Sequence, residues 1–446
     1  MFRKAFTSLL SLSIASLLAF AGCSSQSAEQ AGSQGEGGGQ TANAGEKVTL
    51  SFMHLWPAGS SKQHNMIVNE IIQEFQAAHP NVTIKTEILE NEQYKNKLKV
   101  LSASNELPDV GMTWAAGFLE PYVKGKLFAP VDDILAGGLK ESFVPGTTEA
   151  YAIDNKTYAL PVELNIVPVY YNKAIFAKYN LQPPQTYEEF QGIVKTLADN
   201  GVPPIALGNK DRWTGSLWYM YLADRIGGAE ALKKAIDRSG TFEDPSLVHA
   251  ANEVQKLVDM NAFVKGFNGL SNDEGKSEFM NGKAAMYLMG TWELPNYTTN
   301  ESVPKEFRDS IGFFKFPTVA GGKGNVDSWV GGPGVGLFVA ENSKVKEEAK
   351  QFAKFFVEKW GEQSVTKAGV IPATKVDTSK VQLPQMYIDI LSELNKASNI
   401  TLFADVQMSP GVAQTHLNMI QSLFGKEVPP EDFAKKHEEA LAQEQK

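Results

Sequence analysis

The feature that most constrains the fold is a change of hydrophobic period within residues 48–88, from two to three-or-four and back to two. Val48, Leu50 and Phe52 alternate with polar neighbours, the pattern of a half-buried strand. Val68, Ile71, Ile72 and Phe75 then recur at helical spacing behind the capping candidates Ser60 and Ser61, and His79-Pro80-Asn81 closes that helix. Val82, Ile84, Thr86 and Ile88 alternate again. A strand, a helix and a second strand in succession make a β-α-β unit with a right-handed crossover, so the expected class is α/β.

The same grammar continues. A helix is expected over residues 94–103, a short strand over 109–113 and a break at Pro161. Asp244 followed by Pro245 reads as a cap and first turn, with Leu247, Ala250, Val254 and Val258 on the buried face. After Ser343, a stripe of Val345, Ala349, Phe352, Phe356 and Trp360 is expected to stop at Gly361. These pieces fit two α/β lobes with a cleft between them. Ligands of open α/β sheets sit outside the carboxyl ends of the strands, and two lobes can close around a solute.

The amino terminus carries a different message. Arg3 and Lys4 precede an uncharged stretch, residues 5–22, that ends on the small residues Ala21 and Gly22 before Cys23, the one cysteine of the chain. This is the pattern of an export signal over residues 1–22. Leu18-Ala19-Phe20-Ala21-Gly22-Cys23 resembles the lipobox of bacterial lipoproteins, with Phe20 where an aliphatic residue is usual. The resemblance implies acylation of Cys23, which would leave the mature chain with no free thiol and hold it on the outer face of the membrane. Residues 24–45 contain no Val, Ile, Leu, Met or aromatic residue. As part of a flexible tether at 23–45, they would span roughly 25 Å root-mean-square.

Loss of Arg3 and Lys4 with the signal takes the formal charge from −9 to −11. That balance excludes nucleic acid as a partner, since phosphate binding needs clustered cations. It also disfavours a folded body lying flat on an anionic bilayer.

From residue 46 onward the chain resembles the extracellular solute-binding proteins of bacterial carbohydrate ABC importers, the group that includes maltose-binding protein. Four stretches carry the resemblance, in the family's order: His79-Pro80-Asn81-Val82; Leu107-Pro108-Asp109-Val110 with Trp114 and Leu127-Phe128-Ala129-Pro130-Val131; Tyr158-Ala159-Leu160-Pro161 with Tyr170-Tyr171-Asn172-Lys173; and Phe279-Met280-Asn281-Gly282-Lys283-Ala284-Ala285-Met286 running into Gly290-Thr291-Trp292-Glu293. The resemblance implies a two-lobed periplasmic-binding-protein-like fold of type II with a hinge crossed more than once. The crossings are expected near residues 161–165, 316–318 and 370–372. The expected lobes are 46–162 plus 318–370, and 163–317 plus 371–446. It also implies a monomer that needs no cofactor and works with permease subunits whose ATPase is a separate chain.

A pyranose presents an apolar C–H face and an equator of hydroxyls, so its site wants aromatic plates and planar polar groups. Trp292 follows Gly290-Thr291 after the apolar run 284–289, and in the family the aromatic of this motif stacks on sugar. Trp114 follows a short strand, Trp56 lies just beyond the first one, and Trp213 sits in the polar loop Asn209-Lys210-Asp211-Arg212. Trp329 stands beside Gly331 and Gly332, where missing side chains would let backbone approach a ligand. Trp360 shares the stripe of Phe352 and Phe356 and reads as core. For hydroxyls the candidates are Glu90, Glu163, Asn165, Asp211, Arg212, Glu293 and Asp405, because a carboxylate accepts two hydroxyl bonds side by side. Glu163 and Asn165 compete for one hinge-side role.

Other chemistries are poorly supplied. Gly275-Lys276-Ser277 lacks the first glycine of a phosphate loop, with Leu270 in its place. The six histidines form no pair at metal-ligand spacing, and no G-x-S-x-G elbow occurs. A surface glycosidase would need two carboxylates, for example Glu163 and Glu293, about 5–9.5 Å apart across a cleft. A receptor presenting bound sugar to a membrane kinase would share the fold.

Overall fold

The computed structural model of the protein describes residues 46–444. The expected signal, Cys23 and the tether lie outside the described residues. The described strands are β1 (Val48–His54), β2 (Val82–Ile88), β3 (Val110–Thr113), β4 (Ala152–Ile153), β5 (Lys156–Thr157), β6 (Leu160–Pro161), β7 (Leu164–Ile166), β8 (Val169–Asn172), β9 (Ile205–Ala206), β10 (Met286–Leu288), β11 (Ile311–Phe314), β12 (Ser328–Pro333), β13 (Gly336–Val339) and β14 (Asn399–Thr401).

The opening β-α-β unit forms as read. β1 pairs in parallel with both β2 and β3, and the helix Lys62–Ala78 joins β1 to β2. Because β1 lies inside the sheet and is covered on both faces, Met53 and His54 are buried along with Leu50 and Phe52. β2 is an edge strand, and its alternation fades from buried Val82 and Ile84 to exposed Ile88. The first lobe is completed by β13 and β6, giving the order β2-β1-β3-β13-β6 with β13 antiparallel to its neighbours. The second lobe has the order β11-β8-β10-β9. In that lobe the expected apolar run 284–289 is buried throughout around β10.

Local signals explain the helices that frame the lobes. Asp244 caps Pro245–Asp259 by accepting from the Ser246 N–H at 2.8 Å. Leu257 takes the buried place expected of Val258, which is half-buried. The helix after Ser343 spans Lys346–Gln363 and runs on through Gly361. That glycine serves packing, not termination: a Cβ on it would lie 2.1 Å from Thr374 Oγ1.

A third sheet, β14-β12-β7, joins the lobes. The chain leaves the first sheet at β6 and reaches the second through β7. The return was expected near residues 316–318, yet Lys323 and Gly324 still donate to the carbonyls of Ile226 and Arg225 in the second lobe. The return therefore runs along β12. The third passage was expected at 370–372, where the Leu164 N–H bonds the Ile371 carbonyl, the Ala373 N–H bonds the Val162 carbonyl and Glu163 bridges Pro372, beside the first passage. The return along β12 follows a segment without hydrophobic period, so the sequence carried no sign of which lobe holds it.

Candidate functional site

β1 and β3 run parallel and deliver Trp56 and Trp114 just past their carboxyl ends. β9 and β10 are likewise parallel, and Trp213 and Trp292 follow them. All four indoles line one cavity of about 1180 Å³ that includes its open mouth.

The aromatic plates are held from behind. Trp56 stacks on Trp360 with 4.6 Å between centroids. Trp114 packs edge-on against Phe118 at 5.0 Å and carries Lys95 Nζ 4.9 Å above its ring. Trp292 meets Trp213 and Phe403 edge-on, each at 6.0 Å. Gly290 is needed for that pose, because a Cβ there would lie 2.2 Å from the Trp292 ring.

The carboxylates at the cavity come with partners. Glu163 Oε1 lies 3.1 Å from His64 Nε2, both side chains nearly solvent-free. Glu293 Oε1 lies 3.3 Å from Lys276 Nζ, and its Oε2 accepts from Asn296 at 2.7 Å. Lys276 also reaches Asp273 at 3.2 Å. Burial alone would lower the Lys276 pKa, but Glu293 and Asp273 outweigh it and hold the ammonium above its usual range. Asp405 faces Lys95 at 3.7 Å, and burial nonetheless pushes its carboxyl up. Glu90, at the rim, accepts from Ser60 Oγ at 2.9 Å, and partial burial raises its pKa too. Bonds that cross between the lobes include Lys276 Nζ donating to the Ser60 carbonyl at 3.3 Å and Lys62 Nζ to Ser302 Oγ at 2.5 Å.

Of the expected residues, Trp56, Glu90, Trp114, Glu163, Asn165, Trp213, Trp292, Glu293 and Asp405 line the cavity. Glu163 and Asn165 do so together, with Asn165 Nδ2 donating toward Glu163 Oε2 at 3.5 Å and Asn165 Oδ1 accepting from Thr291 Oγ1 at 2.9 Å. Five others do not line it. Trp329 is 1% exposed, locked inside the joining sheet on β12. Gly331 and Gly332 pair with Ile166 and Asn165 of β7, and a Cβ on Gly331 would lie 2.2 Å from the Asn165 carbonyl oxygen. The missing side chain of Gly331 therefore admits a neighbouring strand, while Gly334 lines the cavity. Asp211 accepts from the Asn272 N–H at 2.7 Å, and Arg212 Nη1 donates to Asn418 at 2.7 Å. Both brace the loop that presents Trp213.

Sequence reasoning missed His64, Lys95, Ser216, Met220, Lys276 and Phe403, all of which line the cavity. One signal was present: Trp213, Ser216, Leu217 and Met220 follow one helical face at i, i+3, i+4 and i+7. Among the described residues, no group of three or more His, Cys, Asp or Glu could hold a metal ion.

A family model described as bacterial extracellular solute-binding protein matches residues 58–359. Among curated proteins, the chain is 27% identical over 267 residues to an uncharacterised ABC transporter extracellular-binding protein of Pyrococcus horikoshii. That match covers 57% of this chain and 59% of the relative, less than two thirds of its length. The multiple sugar-binding protein of Streptococcus mutans is 25% identical over 321 residues, covering 70% of this chain and 71% of that one. A structure solved in work on xylan utilization by the thermophilic bacterium Caldanaerobius polysaccharolyticus superposes with a TM-score of 0.82 at 34% identity, covering 87% of this chain and 98% of that chain. A chitin oligosaccharide binding protein superposes with a TM-score of 0.83 at 24% identity, covering 90% and 99%, a likeness of fold.

Proposed function

Since the chain belongs to the bacterial extracellular solute-binding proteins, we propose that it captures a short oligosaccharide between its lobes and delivers it to an ABC permease. The observation that carries this reading is the set of four indoles, Trp56 and Trp114 from one lobe and Trp213 and Trp292 from the other, lining one cavity with carboxylates between them. Indoles match the C–H faces of sugar rings, and partnered carboxylates accept hydroxyl hydrogens at their edges. The 34% identity to a protein from work on xylan utilization makes xylo-oligosaccharides the leading candidates. Members of this family bind solutes and do not transform them.

In this reading Cys23 carries the lipid, residues 23–45 tether the binding body to the membrane, and the protein acts as a monomer. The lobes divide along β7, β12 and the segment near residues 370–372. Among the described residues, no helix is long and apolar enough to cross a membrane.

The test is titration calorimetry of the full chain without its signal against xylobiose, xylotriose, chitobiose and maltose. One or more should bind without releasing reducing ends. No binding across the panel overturns the sugar reading, and released reducing ends overturn capture without turnover. Cys23→Ser should yield a soluble protein of unchanged affinity; a soluble protein that no longer binds would overturn the separation of anchor from site.

A further inference from the structure

A hydrogen-bonded chain of buried side chains leads away from the second-lobe wall of the cavity. Ser216 Oγ lies 2.7 Å from His416 Nε2, on the helix Pro410–Phe424. His416 Nδ1 lies 2.9 Å from His437 Nε2, on the helix Pro430–Glu444, and His437 Nδ1 lies 2.7 Å from the Phe433 carbonyl oxygen. Ser216 is 1% exposed and both histidines 0%.

The far end sets the polarity of the whole chain. A carbonyl oxygen only accepts, so His437 Nδ1 carries a hydrogen. A neutral imidazole has one N–H, so His437 Nε2 accepts and His416 Nδ1 donates to it. His416 Nε2 is then an acceptor, and the Ser216 hydroxyl hydrogen is committed to it. Burial keeps both rings neutral: His437 is lowered to about 4, and His416 falls well below the usual range, with His437 adding to the effect. The charged group acting on His437 is Glu438, whose carboxylate is occupied by Arg238, Thr241 and the Phe242 N–H.

We infer that Ser216 is a specificity-determining residue of the cavity, a one-way acceptor that selects a hydroxyl able to donate at that point of the ligand. Among the described residues no donor reaches Ser216 Oγ, and Ser216 lines the cavity. Its neighbours on the cavity wall, Leu217 and Met220, offer no donor to a misplaced acceptor. A ring oxygen, a glycosidic oxygen or a fluorine placed there would meet lone pair with lone pair. A site built around a buried polar group rejects analogues that leave it unpaired. The inference rests on the sugar reading for the identity of the donor, whereas the polarity of the chain stands independently of it.

Two measurements test it. Nitrogen NMR of the full chain labelled with 15N-histidine should show His416 and His437 neutral at pH 7 with the hydrogen on Nδ1. A hydrogen on His416 Nε2 would free the serine to donate and overturn the inference without any ligand. The second measurement uses whichever of xylobiose, xylotriose, chitobiose and maltose binds, together with its single deoxy and deoxyfluoro analogues. At one hydroxyl position both replacements should weaken binding at least tenfold, and in Ser216→Ala parent and analogues at that position should bind alike. Fluorine tolerated at every position, or a parent sugar that binds wild type and Ser216→Ala equally, overturns the inference while leaving sugar capture standing. If nothing in the panel binds, the sugar reading fails and the selection of a sugar hydroxyl fails with it.

Discussion

The indoles of Trp56 and Trp360 lie parallel within 8°, 4.6 Å apart, one lining the cavity and the other sealed in the stripe of Phe352 and Phe356. Trp360 touches the site through Trp56. Trp360→Ala should therefore cost about 3–5 kcal/mol of stability, as large-to-small core changes do, and should also weaken sugar binding. Urea unfolding and calorimetry on the same variant check both. Unchanged affinity would mean that Trp56 holds its pose without its backing.

Trp292 and Gly290 form a second dependent pair. Trp292→Ala should weaken binding by about 2 kcal/mol or more, the scale of a buried aromatic anchor. Gly290→Ala should weaken it too, because the added methyl occupies the place of the Trp292 ring. The double variant should bind no worse than Trp292→Ala alone. Additive losses would show that the glycine acts through something other than the indole.

Lys276 joins Glu293 and Asp273 and reaches across the cleft to the Ser60 carbonyl. Its folded pKa is raised above the ordinary 10.5. Its contribution to stability is thus fully present below pH 10.5 and is lost as pH rises through the higher folded value. Stability attributable to this cluster should be flat from pH 7 to 10 and fall above it. Lys276→Met strands the buried Glu293 carboxylate and should cost about 3–5 kcal/mol at neutral pH, read by denaturant titration. A variant as stable as wild type would remove Lys276 from the cluster's energetics.

His54 and His437 have folded pKa values lowered to about 4 by burial. Between the unfolded value of 6.5 and that figure the unfolded chain binds protons that the folded chain refuses. Stability is thus full above pH 6.5 and declines as pH falls toward 4, by on the order of 3 kcal/mol per histidine. Melting temperatures across pH 4–7 should show the decline, and His54→Asn should make it shallower. An identical slope in that variant would mean that His54 is not held neutral.

Residues close in sequence largely read correctly. The β-α-β opening, the Asp244 cap and the buried run at 284–289 follow from periodicity and capping, which depend on neighbours a few positions apart. Trp56, Trp114, Trp213 and Trp292 were legible for a related reason. Each follows a strand, and the carboxyl ends of α/β strands are where ligands bind. Trp329 was expected at the site on a different cue and proved to be core. Its cue was a neighbouring glycine, and the sequence does not say whether a glycine admits a ligand or another strand.

By itself the sequence determined the α/β class, the strand ends that carry indoles, and the motifs of a solute-binding family. It also placed the stretch of polar residues ahead of the folded body. Only the tertiary structure decided which polar groups meet: Lys276 with Glu293 and Ser60, His64 with Glu163, Lys95 with Asp405, and Ser216 with His416, which in turn meets His437. The reason is range. Hydrophobic period and capping act within a turn or a strand, whereas an ion pair or hydrogen bond depends on angstrom-scale approach between segments separated by tens to hundreds of residues, and no local pattern encodes that distance.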